Sequence, residues 1–347
     1  MTGPPRVFRL ALVGFGAVAH ALVALLEQTA EELARERGVA FVPALVATRR
    51  RGVVLLPERT RPADVMAEFL AAPARPIEEF PAVLADPRTP YDVLVELSTV
   101  APADGEPAAT NLRSALRSGR HAVTANKGPI AWHGRELAEL AAASGAALRY
   151  EATTMDCLPV HAIRERIVPV GRVTAFAGIV NSTTNLVLTA MAAGRSAAQA
   201  LAEAQQLGIA EADPRNDTEG HDAVLKATIL ANLLLEPADP LTPDRVYRRG
   251  LETVPDAWPT RAAEAGCRVR LVARGWREGP DGRVAAARVR PEELPLGHPL
   301  ALVDGTSMAL DVDTEYAGTL HMALVEPHVE QTAYAVLTDL LVLAAGA

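Results

Sequence analysis

Lys127 and Lys226 are the only lysines in a chain whose 34 basic residues are otherwise all arginine. A guanidinium stays protonated at any ordinary pH, whereas a compact ammonium can surrender and recover a proton, so the positions that kept lysine are candidates for proton transfer. Lys226 follows Asp222 by four residues. On a helix that spacing projects carboxylate and amine from one face, where they can share a proton path. The plainer account of the same spacing is a surface helix pair contributing about 0.3–0.5 kcal/mol. Around it stand Glu211, Asp213, Asp217 and Glu219, which with Asp222 form an acidic cluster that repels itself unless a cation such as a substrate ammonium arrives. Pro214 and Gly220 break the spacing of a calcium loop and no histidines stand at metal-ligand spacing, so no divalent catalytic metal is expected.

Lys127 closes Val123-Thr124-Ala125-Asn126-Lys127, which reads as the carboxyl end of a strand, where open parallel sheets bind their ligands. A second ligand-binding signal opens the chain. The apolar run Val7 to Val13 leads into Gly14-Phe15-Gly16-Ala17-Val18-Ala19 and an alanine- and leucine-rich stretch reaching about Arg37. In a strand, glycine turn and helix of this kind, Gly14 permits the tight turn and Gly16 lets the backbone approach a pyrophosphate. The helix start supplies unpaired N–H donors and partial positive charge. Ala19 takes the third glycine position, which needs only a small side chain. The expected cofactor set is Gly14, Phe15, Gly16, Ala17 and Val18, with Ser98 and Thr99 at the end of a buried strand, Tyr91 to Ser98. The acidic residue that would bind ribose hydroxyls after the second strand is replaced by Thr48, Arg49, Arg50 and Arg51. Guanidinium suits a 2′-phosphate, so NADP is expected over NAD, against the plainer reading of a solvated arginine loop.

The elements that must position these groups alternate at first. Strands at Val7 to Val13, Val39 to Thr48, Tyr91 to Ser98, His121 to Asn126 and Ala147 to Glu151 are interleaved with helices at Pro107 to Ser118 and His133 to Ser144, plus a weak one near Ala63 to Ala72. Residues 1–150 therefore read as a Rossmann-type parallel sheet. After Glu151 longer helices mix with strands, giving a second, α+β domain over 151–299 that is expected to bind substrate, carry the catalysis and dimerise. Residues 300–347, with an alternating stretch Thr319 to Val325 and an apolar helix near Gln331 to Leu343, are expected to pack back on the first domain.

Composition narrows the function classes. The 347 residues exceed what one core usually holds, and 49% hydrophobic with 22% charged residues is ordinary globular usage. A net charge of −8 without long basic runs argues against nucleic acid as a partner. No stretch reaches the roughly 20 apolar residues of a membrane-spanning helix. Cys157 and Cys267 are too far apart for a disulfide framework or a thiolate zinc site, which fits a reducing cytoplasm. His20, His121, His133, His161 and His298 read as structural, while His221 and His328 stay open.

The motifs GFGAVA from Gly14, VTANK ending at Lys127, YEATTMDCLP from Tyr150, GIVNSTTN from Gly178 to Asn185, and EAQQLGIAEADPRNDTEGHD running into the Lys226 helix occur in one order along most of the chain. In these the sequence strongly resembles the homoserine dehydrogenases. The resemblance implies reversible NAD(P)-dependent interconversion of L-aspartate 4-semialdehyde and L-homoserine by a two-domain homodimer. It implies that Lys226 exchanges the proton at the reacting oxygen, that Asp222 partners it, and that Lys127 lies by cofactor and substrate. Glu211 and Asp222, with Asp217 and Thr183, would bind substrate, and Gly208 would lie near the nicotinamide. A Na+ or K+ site carries over to Glu151, Thr154, Asp156 and Leu158, although Thr154-Met155-Asp156-Cys157 replaces a loop often rich in glycine. Ser182 stands where glycine is common, and Val325-Glu326-Pro327-His328 replaces a C-terminal glycine stretch. The competing readings are a phosphorylating semialdehyde dehydrogenase with Cys157 as nucleophile, and a non-catalytic NADP sensor.

Overall fold

The computed structural model describes residues 3–206, 209–210 and 213–346, which divide into two units: one of residues 1–157 and 328–347, the other of residues 158–327. In the first, β1 (Arg6–Val13), α1 (Ala17–Glu32), β2 (Val39–Thr48), β3 (Gly52–Leu55), α2 (Val65–Ala71), α3 (Phe80–Ala85), β4 (Val93–Glu96), α4 (Ala108–Arg117), β5 (His121–Thr124), α5 (Lys127–Ser144) and β6 (Leu148–Arg149) follow one another. The sheet order is β3-β2-β1-β4-β5-β6. All neighbours run parallel except the edge hairpin β2–β3. Strands buried on both faces read as unbroken apolar runs, and β4 obeys this with Val93, Leu94 and Val95 at 0% exposure. Strand order reverses direction between β1 and β4, which makes their carboxyl ends a ligand-binding crevice.

The second unit opens with the single turn α6 (Val160–Ala162), then β7 (Val173–Ile179), α7 (Ser182–Ala192), α8 (Ala197–Gln206), α9 (Arg215–Thr218) and α10 (His221–Leu235). It continues with β8 (Tyr247–Arg248), α11 (Ala257–Glu264), β9 (Cys267–Glu278), β10 (Val284–Pro295), β11 (Met308–Thr314) and β12 (Gly318–Leu324). Its sheet runs β12-β11-β7-β9-β10-β8, antiparallel apart from the β10–β8 pair. The helices α7, α10 and α11 pack on β9.

The stretch 300–347 does not return as one piece. Residues 308–324 are β11 and β12 of the second sheet, with β11 hydrogen-bonded along β7. Only the last helix, α12 (Val329–Gly346), joins the first unit, where it packs on α1. Its Ala333, Val336, Leu337 and Leu340 share one core with Leu10, Leu12 and Val95. Each of the buried valine and leucine side chains contributes about 1.5–3 kcal/mol, so one face of this helix suffices to recruit it. A strand's alternation says that one of its faces is buried, not against which sheet, which is why the sequence assigned β12 to the wrong partner.

Candidate active site

The residues able to do chemistry fall into two groups, one in each unit. In the first, β1 turns at Gly14 with φ +81°, and its N–H donates to the Ala47 carbonyl at 2.9 Å. A Cβ at Gly14 would lie 2.5 Å from the Leu97 carbonyl oxygen and 2.7 Å from Ser98 Cα, so the turn presses on the exit of β4. Gly16 has open space around its missing Cβ and caps α1 without a side-chain hydrogen bond. The first N–H groups of α1 are thus left to a ligand or water. Phe15 packs beside His20 and Phe69, 4.8 Å and 5.8 Å between ring centres, which gives that histidine a structural setting.

The three arginines after β2 part company. Arg49 and Arg50 are exposed. Arg51 turns inward, donating to the carbonyls of Phe69 and Leu70 at 2.7 Å and of Ala72 at 2.9 Å, the free end of α2. It caps a helix, leaving Arg49 and Arg50 facing solvent.

At the β4 and β5 exits, Asn126 caps α5 by accepting from Gly128 N–H at 3.1 Å and donates its amide to the Ser98 carbonyl at 3.1 Å and hydroxyl at 3.3 Å. Lys127, half-buried, is the first residue of that helix. Further on, Glu151 N–H donates to the buried Asp339 carboxylate at 2.8 Å, and Asp156, in the left-handed region at φ +49°, accepts from Thr332 Oγ1 at 2.6 Å. Both partners belong to α12, which therefore shapes the 151–156 turn. Thr154 Oγ1 is buried without a hydrogen-bond partner among the described residues. Leu158 is buried and counts with the second unit.

In the second unit Gly220, at φ +81°, starts α10, and the pair four residues apart is no exposed surface pair. Lys226 Nζ lies 3.2 Å from Asp222 Oδ2, with side chains 13% and 5% exposed, and donates to the Val180 carbonyl at 2.7 Å. Asp222 is held from a second side: the Asn181 amide donates to Asp222 Oδ2 and to Asp217 Oδ1, both at 2.8 Å. One amide thus bridges two carboxylates that would otherwise repel. Asn181 also caps α7, its Oδ1 accepting from Thr184 N–H at 2.9 Å. It was not singled out by sequence, although an asparagine before Ser-Thr-Thr is a helix-start signal. Thr183 is buried beside it. Glu211 and Gly208 lie outside the described residues. Asp213 is exposed and held by Arg215, and His221 faces Glu219 at 3.2 Å. His328 is exposed, its N–H donating to Gln331.

Cys157 is no nucleophile of the activated kind. Burial first, and then the Asp156 charge, push its thiol pKa up, so the thiolate is disfavoured. Cys157→Ser is expected to leave turnover within about twofold of wild type in a steady-state assay, since no reactive thiol is lost. Loss of activity with folding intact would restore the thiol to the chemistry.

A doubly wound sheet with a glycine turn at its switch point, together with a second unit carrying a buried lysine–carboxylate pair, is the pattern of a dinucleotide-binding enzyme with a candidate acid–base group. Family models narrow the class: "Homoserine dehydrogenase, NAD binding domain" matches residues 14–151 and "Homoserine dehydrogenase" matches residues 159–341. The NAD(+)-dependent homoserine dehydrogenase of Pseudomonas canavaninivorans is 34% identical, over 96% of this chain and 95% of its own length. The homoserine dehydrogenase of Mycobacterium bovis is 35% identical over 92% of this chain and 68% of its own. The crystal structure of a homoserine dehydrogenase from Thiobacillus denitrificans matches with a TM-score of 0.83 at 29% identity, covering 98% of this chain and 74% of that one. The chain belongs to the homoserine dehydrogenase family. Its reaction is the NAD(P)-dependent reduction of L-aspartate 4-semialdehyde to L-homoserine, and neither competing reading is favoured. Among the described residues no helix is long and apolar enough to cross a membrane.

Proposed function

We propose that Lys226 is the proton donor and acceptor of this reaction. The observation that carries the reading is the burial of Lys226 against Asp222 in a chain with a single other lysine. In the reducing direction charge develops on the substrate oxygen as the carbonyl is attacked. A desolvated ammonium both stabilises that charge and yields a proton to it. Asp222 aims Lys226, and Asp217, Asp222 and Glu211, with Thr183, receive the amino-acid end of the substrate. Family likeness assigns Lys127 a fixed positive charge beside the cofactor and Gly208 a place by the nicotinamide. When bound, the dinucleotide supplies the hydride.

The first unit suits that group, since the space a Cβ would fill at Gly16 is open, Gly14 lets the turn lie close on the β4 exit, and the start of α1 lacks a side-chain cap. Gly14 through Val18, Ser98 and Thr99 would hold it. The exposed Arg49 and Arg50 would take a 2′-phosphate, making NADP the preferred form; the Pseudomonas canavaninivorans relative, named for NAD(+), favours the other. Arg49 and Arg50 both changed to Ala should raise KM for NADPH about tenfold or more and leave KM for NADH unchanged, because only the former carries the charge they meet. The assay follows oxidation of each coenzyme with aspartate semialdehyde. No turnover with either would overturn the assignment, and equal KM values in the variant and wild type would remove the arginines from it.

Around Glu151, Thr154, Asp156 and Leu158 the family likeness suggests Na+ or K+, hard cations that take oxygen ligands, and the orphaned Thr154 hydroxyl suits one. The assembly we propose is a homodimer formed by the second unit, where Leu302, Tyr316 and Val325 are exposed at 66%, 75% and 71%.

A further inference from the structure

Glu96 is the last residue of β4, a strand whose other three residues are aliphatic, and its side chain is 0% exposed. Such a position costs least when apolar; a carboxyl there has a task or a partner. No cation pairs with it among the described residues. Its oxygens accept instead from neutral donors, Oε1 from the Ser98 N–H at 2.9 Å and Oε2 from Asn111 Nδ2 of α4 at 3.0 Å. Thr124 of β5 donates its hydroxyl to the Glu96 carbonyl at 3.1 Å and accepts from Asn126 N–H at 2.9 Å. The groups facing it from α4, β5 and the two strand exits are thus uncharged, and burial raises its pKa above the ordinary carboxylate range, so that a cation arriving nearby is what favours its ionised form.

Its place is informative. The carboxyl lies at the exit of β4, directly before the Leu97–Ser98 backbone on which the Gly14 turn presses, and Ser98 is tied through Asn126 to the helix that begins with Lys127. This is the crevice end of the sheet, at its switch point. The oxidised nicotinamide ring is a cation and the reduced ring is neutral. A buried carboxyl at that end, with no counter-ion among the described residues, interacts differently with the two. Coulomb attraction in so poorly solvated a place falls off slowly, while a neutral ring gains almost nothing from it.

We propose that Glu96 makes the first unit discriminate between the two redox forms of its cofactor, its buried carboxylate serving as counter-charge to the oxidised ring. This rests on the dinucleotide-binding reading of the glycine turn. Glu96 acts across the Ser98 backbone as a positioning and charge-setting residue and takes no part in proton transfer to the substrate.

The test is binding, not turnover. Affinities of the full chain for the oxidised and reduced coenzyme are measured by calorimetry and by quenching of intrinsic fluorescence, for wild type and Glu96→Gln. The amide preserves size and can still accept from Ser98, with Asn111 turning over to accept from it. Removing the charge should weaken the oxidised form roughly tenfold and leave the reduced form within about twofold. Equal weakening of both, or of neither, overturns the proposal. Should E96Q not fold, Asn111→Ala, which takes one donor from the carboxylate and favours its protonated form, must lower the same affinity ratio, and an unchanged ratio overturns it. Wild-type protein that binds neither form would instead sink the dinucleotide reading itself, and the proposal with it.

Discussion

Lys226→Arg is expected to lower kcat by roughly a thousandfold while cofactor affinity stays within about twofold, although the substitution keeps the charge. The amine is confined by the Val180 carbonyl at 2.7 Å and Asp222 at 3.2 Å and is 13% exposed. A planar guanidinium, bulkier and reaching farther, cannot occupy that position without displacing one of them. A guanidinium also holds its protons too tightly to deliver one to an alkoxide and take it back in the reverse direction. A loss in kcat larger than any change in KM is the signature of an interaction made chiefly in the transition state. Steady-state kinetics in both directions and a coenzyme titration measure the two quantities. Turnover within tenfold of wild type would exclude Lys226 from the proton transfer, leaving a charge at that place as its only contribution.

The pair itself was legible because a residue type had become rare. With lysine reduced to two positions, spacing to Asp222 sufficed to suggest the pairing, and only the burial that separates it from a surface pair needed coordinates. Asn181 was less visible because its role is tertiary. It reaches Asp217 and Asp222 from another helix, and sequence shows only the capping pattern. Arg51 shows the converse error. Adjacent to Arg49 and Arg50, it shared their reading, yet the antiparallel turn from Thr48 to Gly52 points it at the carbonyls ending α2. Proximity along the chain does not fix direction in a turn. Glu96 gave no signal at all, since one acidic residue ending an apolar run looks like the edge of a strand.

The alternating half of the fold was read from its rhythm, because parallel strands buried on both faces are continuous apolar runs between amphipathic helices. The long hairpin of β9 and β10 escaped for a physical reason. Four arginines, Arg268, Arg270, Arg274 and Arg277, interrupt β9. Arg270 is at 0% exposure, donating to the Ala301 carbonyl at 3.1 Å and paired with Asp304, which leaves burial pushing its pKa down despite that partner. A buried arginine reads as a surface residue until its partners, remote in sequence, are known.

Gly14→Ala is expected to weaken dinucleotide binding by about a hundredfold or more and to lower the folding stability of the first unit by several kcal/mol. Two effects add. An L-residue at φ +81° occupies a left-handed conformation that costs about 1–2 kcal/mol. The new Cβ also meets backbone, the Leu97 carbonyl oxygen at 2.5 Å and Ser98 Cα at 2.7 Å, not a side-chain end that could swing aside. Relief requires the turn to lift from the β4 exit, and this moves the start of α1 away from where phosphate oxygens would meet its N–H groups. Gly16→Ala separates the two roles. That position has no neighbour within 4 Å of its missing Cβ and an extended backbone at φ −101°, so the free protein should keep its melting temperature. Its affinity for the coenzyme should fall all the same, because the added methyl stands where the ligand backbone approach is needed. Thermal unfolding of both variants with and without NADPH distinguishes them: Gly14→Ala shifts the free protein, Gly16→Ala shifts only the increment that the coenzyme adds. A Gly14→Ala protein with wild-type melting temperature and affinity would mean that the turn bends without its glycine, and the cofactor would then have to be sought at another end of the sheet.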